Sequence, residues 1–218
     1  MGKAEQRRQE KARTLAKAVE RRRVVLRVYQ GCDDASDRVL PKLAERGVTP
    51  TCQAGCSHCC RLEVPVSRAE AETMVAWLVE TRSTEELDAL RERFRAWLAW
   101  YRNEYRALIA SGVSRADVFF RHAPKCGLLD EQSRCGAYAV RPVTCRNYLV
   151  SSPVAECDPA TGSGDPELIL EVPRASYDHV VELQRVVEAQ SGNYLASIHL
   201  LPEWLAHLLE VEREPWLR

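Results

Sequence analysis

The sequence predicts a mainly α fold, at the margin of α+β: a single helical domain around an irregular cysteine-rich centre with a short β-hairpin. Three observations predict it. Apolar residues recur at three- and four-residue spacing over most of the chain, the period of a helix packed on one face. Eight of the nine cysteines fall between residues 52 and 157, in segments broken by glycine, proline and serine. Strand-like alternation is confined to short runs, and neither an internal repeat nor a linker divides the 218 residues.

The elements follow in order. Leu15, Val19, Leu26 and Tyr29 lie at helical spacing, so residues 5 to 30 read as one amphipathic helix that Gly31 ends. A second helical piece, 37 to 46, stops before Gly47 and Pro50. The cysteine box TCQAGCSHCC then occupies a glycine-containing loop, and Leu62, Val64 and Val66 alternate as a short extended segment. Ser67 with Glu70, and Ser83 with Glu86, are capping-box pairs that open two helices, one to about residue 80 and one to about residue 111. In the second, Leu87, Leu90, Phe94, Trp97, Tyr101, Tyr105 and Leu108 form one stripe, which together with Trp100 is read as packing. Asp130 to Ser133 is turn chemistry that would set Cys126 and Cys135 side by side on a hairpin. Residues 151 to 166 read as loop, and closing helices are expected over 174 to 190 and 202 to 213, with Pro202 in a first turn. The chain therefore divides into a basic helical arm, 1–50, and a cysteine-cluster domain, 51–218. The latter has a cysteine core at 52–157, a helical insertion at 67–111 and closing helices at 174–213.

Hydrophobic residues make up 45% and charged residues 28%, the balance of a globular protein rather than a disordered or fibrous one. Lys plus Arg equals Asp plus Glu at 31 each, but residues 1 to 28 carry ten basic side chains against Glu5, Glu10 and Glu20. A basic arm thus precedes an acidic body. Over residues 3–27 it either docks on that body or meets an anionic partner such as RNA. No aromatic residue before Tyr29 offers a stacking platform for single-stranded nucleic acid. Charged residues stand where a secretory leader needs an apolar run of roughly 7 to 15 residues. No stretch approaches the roughly 18 apolar residues of a membrane span. The expected location is the cytoplasm, with no membrane partner.

A reducing compartment disfavours a disulfide framework, and a chain of this length has no need of staples to build a core. The thiols are then best explained as ligands. Thiolates select zinc, copper(I) and iron–sulfur clusters. Cys52, Cys56, Cys59 and Cys60 form one group, and Cys126, Cys135, Cys145 and Cys157 the other. Cys59 and Cys60 are adjacent, so their side chains diverge; both on one tetrahedral zinc would be strained. Either they serve different centres or one of them stands outside the shell. A buried four-thiolate centre keeps a negative charge and needs donors near its sulfurs; Arg141 and Arg146, flanking Cys145, are the candidates. His58 is read as a bystander, Tyr138 as packing, and Cys32, beside Asp33 and Asp34, as a structural or free thiol.

The pairing of C-x3-C-x2-CC with C-x8-C-x2-Y-x2-R-P-x2-C-R resembles the YkgJ family of cysteine cluster proteins, also described as zinc- or iron-chelating CxxCxxCC domains. The matching positions are Cys52, Cys56, Cys59 and Cys60, then Cys126, Leu129, Cys135, Tyr138, Arg141, Pro142, Cys145 and Arg146, with Cys157 similar to a later cysteine. Three residues rather than two separate the first pair. The resemblance implies a zinc or iron–sulfur site, and flagellin N-methylases resemble the same domain. Three function classes result: a cytosolic metal protein with a structural, redox or regulatory role; an iron–sulfur enzyme acting on a protein or peptide; and an RNA or protein adaptor. Within the enzyme class, C-x3-C-x2-C is also the radical S-adenosylmethionine spacing, though such enzymes use a barrel of alternating strands and helices that this pattern lacks.

Overall fold

The computed structural model describes residues 3–211, apart from the side chains of residues 3, 4 and 11. Helix dominates, and among the described residues the sheet consists of two short antiparallel strands.

α1 (Lys3–Ala44) is a continuous helix of 42 residues, about 63 Å long at the usual rise per residue. The expected stop at Gly31 is absent, and so is the break before residue 37. Gly31 is helical; a Cβ there would lie 2.4 Å from Cε1 of His179, so this glycine admits the close approach of a neighbouring helix rather than capping its own. α1 ends within a turn of Pro41, where Gly47 takes a left-handed φ of 79°. Residues 5–10 and 12–17 are exposed, whereas Val25, Val28, Tyr29, Cys32 and Ala35 are buried in the core. Between the two halves, Arg21 pairs with Glu72 (3.3 Å), Arg22 with Glu80, and Arg27 with Glu182 (3.2 Å). Part of the basic arm is thus matched by acidic groups of the body.

After the cysteine box come β1 (Pro65–Ser67) and α2 (Arg68–Thr81), then α3 (Thr84–Trp100). Both predicted capping boxes are present: Ser67 and Ser83 accept from the backbone of Glu70 and Glu86, whose carboxylates accept in return. The stripe of α3 runs on through a π turn at Tyr101–Tyr105 into α4 (Arg106–Ala110). There the Trp97, Tyr101 and Tyr105 rings stack at 5.0 and 4.6 Å. α5 (Arg115–Asp117) leads into a second π turn, Val118–His122, whose Phe119 stands edge-on to Trp100. These aromatics are packing, as the stripe predicts.

α6 (Val143–Asn147) follows the second cysteine segment. The helix expected over 174–190 is two, α7 (Glu171–Ala175) and α8 (Tyr177–Ser191), parted at Ser176, whose hydroxyl donates to Val172 C=O and to Asn147. β2 (Ile198–Leu200) and α9 (Leu201–Leu208) close the chain, with Pro202 in the first turn as expected. The end of the predicted closing helix, 212–213, lies outside the described residues.

β1 pairs with β2 in the register Val66 opposite His199. The strand pair therefore joins distant parts of the chain and is not the hairpin expected around residue 130. That segment keeps one bridge, Leu129 to Cys135. The cause is local: the Asp130 carboxylate accepts from the backbone of Gln132 and Arg134, closing the turn on itself, and Cys126 N–H donates to Cys60 C=O (2.7 Å) instead of across a ladder. α2, α6, α7 and α8 pack along the buried half of α1, and α9 packs on α2 and α3. The 58–61 turn, which carries Cys59 and Cys60, packs on the second π turn, and α6, which carries Cys145, packs on α1 and β1.

Candidate metal centre

The box is shaped by backbone rather than by side-chain packing. Thr51 N–H donates to Val150 C=O (2.9 Å) and its hydroxyl to Ser152 C=O (2.7 Å), which fixes the entry of the box beside the segment leading to Cys157. Gly55, at φ 87°, turns the chain so that Cys56 N–H reaches Gln53 C=O (3.0 Å). A 3-10 turn over His58–Arg61 then carries Cys59 and Cys60. Lys125 donates to the Ser57 hydroxyl (3.0 Å), and with the Cys126 to Cys60 bond it clamps the second segment onto the box.

Cys145 lies in α6, which is anchored by Glu70. One carboxylate oxygen of Glu70 accepts from Val143 N–H (3.0 Å); the other completes the capping box. Burial is the largest influence on this carboxyl and raises its pKa, partly offset by those donors. The sequence marks Glu70 as a cap but gives no sign of this second duty. Arg146 is equally committed. Its guanidinium donates to Arg141 C=O (2.8 Å) and Ala139 C=O (2.6 Å), pairs with Asp33 of α1, and lies 4.6 Å from the Tyr29 ring centre. The printed bonds thus commit Arg146 to Arg141, Ala139 and Asp33, and it braces the backbone of Arg141.

Arg141 is placed differently. Its guanidinium stacks 4.0 Å from the Tyr138 ring centre, and its Nε is buried with no hydrogen-bond partner. Its charge favours the thiolate forms of Cys59, Cys135 and Cys145.

All eight clustered thiols are free and half-buried, whereas Cys32 is buried in the core. Burial, rather than the adjacent Asp33, is the main influence that raises the Cys32 pKa. The two sequence groups do not stay apart. Cys52, Cys56, Cys59 and Cys157 line one cavity with Tyr148, Val150 and Val154. Cys145 feels Cys126, Cys59 and Cys135, and its pKa is raised chiefly by burial and then by these neighbours. Burial pushes Cys126 up to about 12 and Cys157 to about 11, each helped by nearby cysteines. Cys59 is raised furthest, first by its hydrogen bond with Cys60 and then by burial. Tyr148, which sequence reasoning did not single out, shares the cavity, and burial followed by Cys59 pushes its hydroxyl to about 12.

In these orientations, among the described residues, no group of three or more His, Cys, Asp or Glu side chains is arranged to hold a metal ion. The donor chemistry nonetheless suits a soft metal. Eight unpaired thiols, six of which (Cys52, Cys59, Cys126, Cys135, Cys145 and Cys157) are kept protonated by burial and neighbouring thiols, beside a guanidinium with an unused buried donor, are groups a cation would relieve. His58 does not line the cavity of Cys52, Cys56, Cys59 and Cys157. A family model, CxxCxxCC, described as a putative zinc- or iron-chelating domain, matches residues 51–161. No curated protein and no solved structure matches the chain.

Proposed function

Since the chain belongs to the CxxCxxCC family of zinc- or iron-chelating domains, we propose that it is a cytosolic metal protein holding zinc or an iron–sulfur cluster through Cys52, Cys56, Cys59, Cys60, Cys126, Cys135, Cys145 and Cys157, in a structural, redox or regulatory role. One observation carries this reading: thiols far apart in sequence, Cys52 and Cys157 among them, face a common cavity with none of them oxidised. Zinc would supply a closed tetrahedral tie between the segments, and a cluster would add one-electron chemistry. The protein's own part is to hold the sulfurs and limit water. Arg141 offsets thiolate charge, Arg146 and Glu70 fix the backbone on either side of Cys145, and Tyr148 lines the cavity of Cys52 and Cys157.

The radical-enzyme alternative is weakened on two counts. The described residues hold a two-stranded sheet instead of a barrel, and Cys157 joins Cys52, Cys56 and Cys59, where such a cluster needs an open position. For the adaptor reading, Arg21, Arg22 and Arg27 already face glutamates.

Metal and acid-labile sulfide analysis of anaerobically purified protein tests the proposal. Zinc, or iron with sulfide, should copurify and fall when Cys56 or Cys135 is replaced by serine. A chain that carries no metal and takes up neither zinc nor iron and sulfide on reconstitution overturns it.

A further inference from the structure

We propose that the outer end of α1, residues 5–17, lies in the major groove of duplex DNA and grips its phosphates through Arg7, Arg8, Arg13 and Lys17. This goes beyond the metal-binding reading and does not depend on it. Every described side chain from residue 5 to residue 17 is exposed, so this stretch of helix stands off the body. Among the described residues, the four cations pair with no carboxylate, whereas Arg21, Arg22 and Arg27 further along are matched by Glu72, Glu80 and Glu182. One helix thus carries two sets of basic side chains, one that fastens it to the body and one left for an anion from outside. From residue 5 to Arg21, where the matching begins, the helix extends about 24 Å. That is roughly three times the screening length of about 8 Å at physiological salt. The acidic body therefore neither cancels the charge at the far end nor repels an anion bound there.

The arrangement of the charges selects among anions. A lipid surface needs cations on one face of a helix and an apolar stripe on the other. Here Arg8 stands seven residues before Leu15 and eleven before Val19, so it shares the face of those two exposed apolar side chains, while Arg13 and Lys17 lie around the other side. Single-stranded nucleic acid needs stacking platforms, and no aromatic residue precedes Tyr29. On a second copy of this chain, Glu72, Glu80 and Glu182 are already engaged by that copy's own arm. A groove with phosphates along both walls is what cations on all sides of a helix suit. A helix with its side chains is about 10–12 Å across. The major groove of B-form DNA is about 12 Å wide, whereas that of duplex RNA is deep and narrow.

The test is fluorescence anisotropy of a labelled DNA duplex of about 20 base pairs, titrated with the full chain from about 50 to about 200 mM salt. Binding should weaken with a slope of about −3 to −4 in log affinity against log salt, four phosphate contacts at roughly 0.9 each. The fourfold variant R7Q/R8Q/R13Q/K17Q should lose more than about tenfold in affinity and flatten that slope. It should keep its helical circular dichroism, since glutamine is a good helix former. Arg22→Gln, in the fastened stretch, should leave DNA binding unchanged. The same titration is run with duplex RNA, single-stranded DNA and phosphatidylserine vesicles, and light scattering reports self-association. No binding of duplex DNA at the lowest salt overturns the proposal, and so does undiminished binding by the fourfold variant. Equal or tighter binding of duplex RNA, of the single strand or of vesicles overturns it too, as does a dimer that the fourfold variant breaks. The salt slope and the order of preference of the unmodified chain decide even where the variant fails to fold. Metal analysis of the same preparation is independent of every one of these outcomes.

Discussion

Glu70 shows how a residue can be legible in one role and hidden in another. Its capping-box duty follows from the spacing to Ser67, but its bond to Val143 N–H depends on the distant α6 packing beneath it. Because burial raises its folded pKa above the ordinary 4.5, the native state binds this proton more tightly than the unfolded chain does. The associated stability is full below the ordinary value and is lost as pH rises through the folded pKa. Glu70→Gln should remove that slope while costing about 1–3 kcal/mol through one mismatched donor. Urea unfolding at a series of pH values checks both, and an unchanged slope refutes the assignment. Arg141 and Arg146, paired by the sequence, separate in the structure: one faces thiols and the other is locked to Asp33 and two carbonyls. Arg141→Met should therefore weaken zinc binding by about 10–100-fold at nearly constant stability. Arg146→Met should lower the melting temperature, since it strands the Asp33 charge and two carbonyls. Competition against a calibrated chelator and thermal melts distinguish the two.

Helix starts were readable because a capping box is written within four residues, as at Ser67 and Ser83. Helix stops were not, because Gly31 reads identically as a cap and as a contact point, and only His179 on α8 distinguishes them. Gly31→Ala should destabilise the protein by about 1–3 kcal/mol, since the imidazole rather than a flexible tip blocks the new methyl group. Adding His179→Ala should restore part of that loss in a double-mutant cycle. If Gly31→Ala is neutral or stabilising, the glycine is not serving helix approach. The turn at residue 130 was visible, but its outcome as one bridge rather than a hairpin was set by Cys60 capturing Cys126 N–H. Along α1, the buried stretch begins at Val24, so deletion of residues 3–20 should change the unfolding midpoint little. The ion pairs further on, at Arg21, Arg22 and Arg27, remain in that variant.

At the scale of the whole molecule, the clustering of cysteines was visible in the sequence, whereas the meeting of Cys157 with Cys52 was not, because it is made by a backbone pairing that leaves no mark in local spacing. The mainly α class was visible from the stripes; the β1–β2 pairing of residues 65–67 with 198–200 was not, since neither strand exceeds three residues. Removing the metal with a strong chelator should expose the eight clustered thiols to a labelling reagent while Cys32, inside the core, stays protected. Mass spectrometry of labelled peptides reads this directly, and equal labelling of Cys32 would mean global unfolding instead. The meeting of Cys52 with Cys157 also sets a timetable. These residues are 105 positions apart, so a ribosome adding roughly 5–20 residues per second leaves the first thiol waiting on the order of 5–20 s for its last companion. During that interval the emerging chain carries four reactive sulfurs within ten residues and nothing to occupy them. The vulnerable moment for this protein is thus its own synthesis, and an oxidant pulse should damage the nascent chain far more than the finished one.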